Sequence, residues 1–169
     1  MNGSDDIEIK RRVKALADHL LKANLAMVTA ESCTGGGIAK AITALAGSSR
    51  WFDSGFVTYS NAAKQSMLDV PAVFFEQDAP GAVSEETVRA MVKGALRKSR
   101  ADLAVAVSGV AGPEGGTVSK PVGTVWIAWQ LGFDARARRF LFPGDREAVR
   151  QATILEALSG LLAYFPPEL

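Results

Sequence analysis

The stretch TAESCTGGGIAKAI, residues 29–42, joins a short apolar run to a helix-like run through three consecutive glycines. The residues that lead into it, LAMV, favour a β-strand, and IAKAI favours a helix. Strand, glycine turn and helix in this order are typical of α/β proteins, in which ligands bind beyond the carboxyl ends of strands. This stretch therefore predicts an α/β fold and places Ser32 at a ligand-binding edge.

The rest of the chain alternates between helix-like and strand-like segments. The predicted helices cover residues 6–24, about 35–46, 62–68, 84–99 and 144–165. For the second helix, Ser32 or Thr34 is the predicted N-cap and Gly47 the predicted end. The third helix is predicted to start at a cap, Ser60 or Asn61, and to stop before Pro71. Ser84 is the predicted N-cap of the fourth helix, and Pro166 and Pro167 are predicted to end the last one. The predicted strands cover residues 25–32, 51–60 as a strand or hairpin edge, 101–109, 124–132 and 135–142, and residues 71–83 are predicted to form a loop.

The strand pattern indicates how the sheet is built. Residues 101–109, ADLAVAVSG, are continuously apolar, as in a parallel strand buried on both faces. The last two strands follow each other through a turn at Gly132 to Asp134, which indicates a hairpin. We therefore predict an α/β fold, a three-layer α/β/α sandwich around a mixed sheet. The chain has 169 residues, 48% of them hydrophobic, which suits a single domain over residues 1–169.

The composition favours a small molecule as the binding partner over nucleic acid or a membrane. The net charge is +1 and the sequence pI is about 7.9, unlike the basic surface that duplex nucleic acid requires. No apolar run reaches the ~18 residues of a membrane span, and the charged start of the chain is unlike a signal peptide. One cysteine allows no intrachain disulfide, which fits the cytoplasm. We expect a small-molecule partner, no nucleic acid and no membrane.

The sequence has few residues that could act as a catalytic histidine or bind a metal ion. The only histidine, His19, lies where apolar residues recur with helical spacing, and we expect it to be a partly exposed helix residue. With one cysteine and one histidine, neither a metal site nor a cofactor is predicted. The chain also lacks the motifs GxxxxGKS/T, GxGxxG, GxSxG and HExxH, and Ser32 has no lysine three residues later. A hydrolytic mechanism therefore needs a base other than histidine.

Ser32 and Lys64 are the strongest candidates for reactive residues. Ser32 precedes a helix N-terminus whose amides favour negative charge, which suits an oxyanion or a phosphate; alternatively it only caps a tight turn. Lys64 lies in the first turn of a predicted helix, where the helix dipole and partial burial would lower its pKa toward that of a base. The alternative is a solvated surface lysine. Glu31 and Tyr59 complete this polar set.

Two further stretches supply candidate ligand contacts. SGVAGPEGG, residues 108–116, ends the most apolar strand, and glycines such as Gly109 and Gly112 let backbone amides approach a ligand closely. The alternative is a flexible connector. Arg146 and Arg150 share one face at the start of the last helix, where they would bind an anion such as phosphate or pair with neighbouring acidic residues.

Six stretches occur in one order along the chain: TAESCTGG, SGFVTYSNAAK, GAVSEETV, SGVAGPEGG, KPVGTVWIA and GDREAVR. In this order they resemble the CinA C-terminal domain family, the nicotinamide-nucleotide amidases, over about residues 25–155. The resemblance implies hydrolysis of the carboxamide of nicotinamide mononucleotide to nicotinic acid mononucleotide and ammonia, as part of pyridine-nucleotide recycling. It also implies a homo-oligomer, for which Trp51, Phe52 and the final helix offer apolar surface. The alternative is a non-catalytic nucleotide-binding or regulatory module of the same fold.

The resemblance also implies roles for individual residues. Ser32 is the nucleophile and Lys64 its general base, a serine–lysine pair. Tyr59 and Ser108 assist proton movement and substrate orientation. The remaining substrate-binding candidates are the backbone amides of Cys33, Thr34, Gly35, Gly36, Gly109 and Gly112 for the oxyanion, Asn61 and Arg146 for polar and phosphate contacts, and Arg150.

Overall fold

Five strands form one mixed sheet in a computed structural model of the chain, which describes residues 3–166. The strands are β1 (Met27–Glu31), β2 (Phe52–Val57), β3 (Leu103–Gly109), β4 (Thr124–Leu131) and β5 (Asp134–Leu141). Their order across the sheet is β2-β1-β3-β4-β5. β1 pairs in parallel with β2 and β3, whereas β4 pairs antiparallel with β3 and β5. The predicted mixed sheet is confirmed, and β2 is a parallel edge strand.

Helices cover both faces of this sheet. They are α1 (Gly3–Ala23), α2 (Gly37–Thr43), α3 (Asn61–Leu68), α4 (Glu85–Arg97) and α5 (Arg146–Leu162). α1, α2 and α5 pack on one face, and α3 and α4 pack on the other, so each face has its own cluster of buried apolar residues. The predicted three-layer α/β/α sandwich is confirmed.

The central strand β3 contributes to both clusters. Leu103, Val105 and Val107 pack with α1, α2 and α5, whereas Ala104 and Ala106 pack with α3 and α4. All five residues are fully buried. Because neither face of β3 meets water, its sequence is apolar without interruption from Leu103 to Val107 and does not alternate with polar residues.

The start of α2 corrects the predicted cap. The helix begins at Gly37 after the N-cap Gly36, so neither Ser32 nor Thr34 caps it. Gly35 and Gly36 adopt left-handed backbone angles, φ 58° and 92°, which glycine accepts without steric cost. The predicted cap is wrong because the residues after β1 form a turn of their own before the helix starts.

Other boundaries shift because helix ends depend on packing as well as on local signals. α1 begins at Gly3, earlier than predicted, and α2 ends at Thr43, while Gly47 precedes a 3₁₀ turn over Ser48–Arg50. α5 ends at Leu162, before Pro166, and the predicted stop at Pro167 lies outside the described residues. A second 3₁₀ turn, Ala72–Phe75, lies within the predicted loop 71–83.

Serine caps begin α3 and α4, as predicted. Ser60 and Ser84 each accept a hydrogen bond from the backbone amide three residues later. Gly94 lets α4 approach the end of α3, since a Cβ at this position would lie 2.0 Å from the Leu68 carbonyl oxygen. This close packing holds α3, and with it Lys64, against the sheet.

Candidate active site

The carboxyl ends of the parallel strands meet at one edge of the sheet, where Ser32 follows β1. The Ser32 amide donates a hydrogen bond of 3.1 Å to the Val107 carbonyl of β3, which places Ser32 beside Ser108. The Ser32 Oγ lies 2.9 Å from Nζ of Lys64 on α3. Ser32 is 7% exposed and Lys64 only 1%. The structure therefore brings the predicted nucleophile and the predicted base into hydrogen-bond contact.

Lys64 is buried without an acidic partner. Besides Ser32, its Nζ contacts the backbone carbonyl oxygens of Thr58 at 2.9 Å and Tyr59 at 3.5 Å. None of the ion pairs within residues 3–166 involves Lys64. Burial lowers the pKa of Lys64 to about 8, because the ammonium form loses its hydration. At that pKa about one Lys64 in ten is a neutral amine at pH 7 and about half are neutral at pH 8, so the base form is populated near neutral pH.

The carbonyl contacts also orient the amine. A neutral lysine amine has two N–H groups and one lone pair. When the N–H groups donate to the Thr58 and Tyr59 carbonyls, the lone pair is left to face the Ser32 hydroxyl. With the amine neutral, this arrangement leaves the Nζ lone pair available to a hydrogen bond from the Ser32 hydroxyl.

Cys33 does not compete with Ser32 as a nucleophile. Its side chain is 5% exposed, and burial raises the pKa of its thiol to about 12. Because the thiolate is the reactive form of cysteine, Cys33 stays an inert thiol at physiological pH.

A cavity of about 300 Å³ is lined by Ser32 and Lys64. Arg146, at the start of α5, connects two walls of this cavity. Its guanidinium donates a hydrogen bond of 2.7 Å to the Gly112 carbonyl and one of 2.8 Å to the Tyr59 hydroxyl. These bonds use two of the five N–H groups of the guanidinium, which leaves donors for an anion. The volume lies at the lower end of the roughly 300–1,000 Å³ usual for small-molecule sites.

Most predicted site residues line this cavity, namely Ser32, Cys33, Tyr59, Asn61, Lys64, Ser108, Gly109, Gly112 and Arg146. Four others are absent from its lining: Thr34, Gly35, Gly36 and Arg150. The Gly35 amide donates a hydrogen bond to the Ser32 carbonyl, and Arg150 donates one to the Thr34 carbonyl; both are 3.0 Å long. These bonds direct both donors toward the protein and away from the cavity.

Sequence reasoning missed two contributions to the site. The Thr58 carbonyl has no sequence signal, because every residue carries a carbonyl. Glu31 was noted only as a polar neighbour, yet its buried carboxylate accepts from the Thr34 hydroxyl at 2.6 Å and from the Ile38 and Ala39 amides at 3.0 and 2.8 Å. The available signal was an acidic residue at the end of a strand that is otherwise uncharged.

Other residues singled out in the sequence lie away from this cavity. His19 is partly exposed, as predicted, and stacks on Phe165 with ring centroids 5.0 Å apart. Trp51 is 1% exposed, so the expectation that it offers apolar surface to another subunit is wrong.

Within the described part of the chain, no three His, Cys, Asp or Glu side chains lie close enough together to bind a metal ion. Every helix of residues 3–166 is too short or too polar to cross a bilayer.

A mixed sheet with a serine after its first strand and a buried lysine in contact with that serine defines an α/β protein with a serine–lysine site. The chain belongs to the CinA C-terminal domain family, whose family model matches residues 9–165. The resemblance seen in the sequence motifs is therefore confirmed.

Several curated relatives carry the name nicotinamide-nucleotide amidohydrolase PncC, and two of them are compared with the chain as follows. The chain is 59% identical to that of Pseudomonas putida over 147 residues, 87% of this chain and 91% of the relative. It is 47% identical to that of Escherichia coli K12 over 161 residues, 95% of this chain and 96% of the relative. The crystal structure of the competence/damage inducible protein CihA from Agrobacterium tumefaciens is similar with a TM-score of 0.89 and 42% identity, covering 92% of this chain and 94% of that one.

Proposed function

We propose that this chain hydrolyses the carboxamide of nicotinamide mononucleotide, giving nicotinic acid mononucleotide and ammonia. The observation that carries the proposal is the 2.9 Å contact between Ser32 Oγ and the buried Lys64 Nζ at a small-molecule cavity. The names of the relatives from P. putida and E. coli support the substrate. Burying a lysine is costly for a folded protein, and a neutral lysine beside a serine serves a hydrolase.

The first half of the reaction forms an ester on Ser32. Lys64 takes the proton from the Ser32 hydroxyl as Oγ attacks the carboxamide carbon, and the carbonyl oxygen becomes an oxyanion. When the tetrahedral intermediate collapses, Lys64 gives this proton to the leaving nitrogen. Ammonia departs, and the nicotinoyl group remains bonded to Ser32.

The second half regenerates the enzyme. A water molecule attacks the ester carbonyl while Lys64 takes its proton. Collapse of the second intermediate breaks the bond to Oγ, and Lys64 returns the proton to Ser32. The product acid gives its remaining proton to the released ammonia or to solvent and leaves as a carboxylate, so one water is consumed for each ammonia released.

Backbone amides hold the oxyanion in this proposal. Cys33 lines the cavity, directly follows the nucleophile, and its amide donates to no backbone carbonyl within residues 3–166. The amides of Ala111 and Gly112, in the facing loop, also lack a backbone acceptor within the described residues. Each oxyanion donor contributes roughly 3 kcal/mol to transition-state stabilisation.

Arg146 and Asn61 bind the nucleotide part of the substrate in this proposal. Both residues line the cavity and are exposed there, as a contact to a charged phosphate requires. Arg146 retains guanidinium donors beyond those given to Tyr59 and Gly112. Tyr59 and Ser108 line the same cavity, and their predicted roles in orienting the substrate and moving protons remain part of the proposal.

An ammonia-release assay on dialysed protein with added chelator tests the proposed function. The panel is nicotinamide mononucleotide, nicotinamide riboside, free nicotinamide and asparagine. We expect ammonia and nicotinic acid mononucleotide in equal amounts from the first compound, at a rate that the chelator does not change. Binding of nicotinamide mononucleotide without ammonia release would select the alternative, a non-catalytic nucleotide-binding module.

We further propose that the chain acts as a single domain in the cytoplasm and assembles as a homo-oligomer. The single sheet, to which all five strands belong, supports one domain. The free and buried Cys33 suits a reducing compartment. Light scattering coupled to size-exclusion chromatography measures the oligomeric state directly.

A further inference from the structure

The turn between β1 and α2 is held by a buried carboxylate that lies behind it. Glu31 is fully buried, and its Oε2 accepts from the Thr34 hydroxyl at 2.6 Å and from the Ile38 amide at 3.0 Å. Its Oε1 accepts from the Ala39 amide at 2.8 Å. A buried carboxylate is costly unless it is fully hydrogen-bonded, so these donors tie the turn firmly to the end of β1.

Arg150 on α5 also holds this turn. Its guanidinium donates a hydrogen bond of 3.0 Å to the Thr34 carbonyl and lies 3.8 Å from the Glu147 carboxylate. Thr34 therefore bonds at both ends, through its hydroxyl to Glu31 and through its carbonyl to Arg150. We call Glu31, Thr34 and Arg150 the turn clamp.

The turn clamp is connected to the nucleophile through two peptide planes. Arg150 holds the Thr34 carbonyl, and the same peptide carries the Gly35 amide, which donates 3.0 Å to the Ser32 carbonyl. The Ser32 carbonyl shares its peptide with the Cys33 amide. In a trans peptide the C=O and N–H groups point in opposite directions, so holding one fixes the direction of the other. The position of Arg150 thus determines where the Cys33 N–H points.

We propose that Glu31, Thr34 and Arg150 are positioning residues that aim the Cys33 N–H at the oxyanion of the reaction. The inference rests on the proposed amidase function. It gives Arg150 a role in the rate of the reaction and not in holding the phosphate. The turn clamp acts on the transition state and not on substrate binding, because the bound substrate has no oxyanion and the charge develops only as the tetrahedral intermediate forms. Its loss therefore lowers kcat and leaves KM nearly unchanged.

The test compares substitutions that keep shape and remove one bond. Thr34→Val removes the hydroxyl that Glu31 accepts from, and Arg150→Met removes the donor to the Thr34 carbonyl. For each we expect kcat for ammonia release from nicotinamide mononucleotide to fall about 10- to 100-fold, with KM within about twofold. Thr34→Ser and Arg150→Lys restore a donor and recover most of the loss.

Two control variants separate positioning from stability. Thr153 is a fully buried threonine on α5 whose hydroxyl donates 2.7 Å to the Val149 carbonyl, and Arg139 donates 2.8 Å to the Ser119 carbonyl on another loop. Thr153→Val and Arg139→Met remove bonds of the same kinds away from the turn. We expect kcat of both controls to stay within about twofold of the parent chain, and the unfolding temperatures of all four variants show how far lost stability accounts for lost kcat.

A second readout reports the oxyanion contact itself. Replacing the carboxamide oxygen of the substrate by sulfur weakens hydrogen bonds to the developing charge, so the parent chain should turn over the thioamide more slowly. We expect this oxygen-to-sulfur rate ratio to shrink in Thr34→Val and Arg150→Met, and to be unchanged in the two controls. A purely structural role would leave the ratio constant.

Different results overturn different parts of the account. Parental kcat in Thr34→Val and Arg150→Met, or a loss confined to KM, overturns the positioning role while the amidase function stands. An unchanged oxygen-to-sulfur ratio also overturns it. Absence of ammonia release by the parent chain overturns the proposed function, and the positioning role with it.

Discussion

The Nζ of Lys64 lies 2.9 Å from the Oγ of Ser32, although the two residues are 32 positions apart in the chain. β2 runs parallel to β1 and returns the chain to the same sheet edge, where α3 folds back over the serine. The Thr58 carbonyl, 2.9 Å from the same Nζ, fixes the lysine from behind. In the proposed mechanism, the protonation state of Lys64 therefore controls the rate.

The rate should follow the deprotonation of Lys64. Burial lowers the pKa of Lys64 to about 8, so its neutral fraction increases about tenfold for each pH unit below that value. We expect kcat/KM for ammonia release to rise with this slope from pH 6 and to level off above pH 8. A profile that is flat between pH 6 and 9 would exclude Lys64 as the base.

Lys64 should also destabilise the fold at neutral pH. Its pKa is lowered from 10.5 to about 8 on folding, so the unfolded chain binds more protons between these values and stability rises with pH across that window. Lys64→Met lacks the buried charge. We expect it to exceed the parent chain in unfolding free energy below pH 8 and to lose about 3 kcal/mol of this advantage by pH 10.5.

Denaturant titrations at several pH values measure this difference. Lys93 is an exposed lysine on α4 and provides the control variant Lys93→Met. The control should show no comparable change between pH 8 and 10.5. A Lys64→Met variant that is less stable than the parent chain at pH 7 would contradict the cost assigned to the buried ammonium.

The thiol of Cys33 should be dispensable. Burial raises its pKa to about 12, and its part in the proposed reaction belongs to its backbone amide. Cys33→Ala keeps the amide and removes the thiol, so we expect kcat within about threefold of the parent value. A loss comparable to that of a Ser32 variant, in a chain that still folds by circular dichroism, would make the thiol a participant.

Arg146 should recognise the phosphate. Arg146→Met removes the guanidinium from the cavity, and we expect KM for nicotinamide mononucleotide to rise about tenfold or more while nicotinamide riboside, which lacks the phosphate, is affected much less. Arg139→Met removes a guanidinium that lies outside this cavity, where it donates to the Ser119 carbonyl, so it serves as the control. Equal losses for both substrates in Arg146→Met would assign Arg146 to holding the cavity walls.

The fold could be predicted from sequence because its main signals are local or periodic. The continuous apolar run over Leu103–Gly109 indicated a strand buried on both faces, and the structure places it at the centre of the sheet. The start of α2 was predicted wrongly, since its first amides bond to the Glu31 carboxylate of β1 and not to a local cap. A cap search limited to the residues next to the helix start does not reach an acceptor on the preceding strand.

The candidate site was predictable only in part. From sequence alone, the serine in the glycine turn could equally be a turn cap and the lysine near the helix start a solvated surface residue. Their contact depends on the path of β2 and α3. The family resemblance joined Ser32 to Lys64, and the geometry agrees with it. The separate orientations of Arg146 toward the cavity and Arg150 toward the Thr34 carbonyl follow from packing around α5. Four-residue spacing on one helix face does not distinguish them.

The most direct test of the central claim is the kcat of Ser32→Ala for ammonia release from nicotinamide mononucleotide at pH 8.5, with substrate binding measured by calorimetry. The account predicts a kcat more than about 10³-fold below that of the parent chain, because the attacking oxygen is gone, together with retained binding. A Ser32→Ala variant that binds the nucleotide and releases ammonia within tenfold of the parent rate would contradict it.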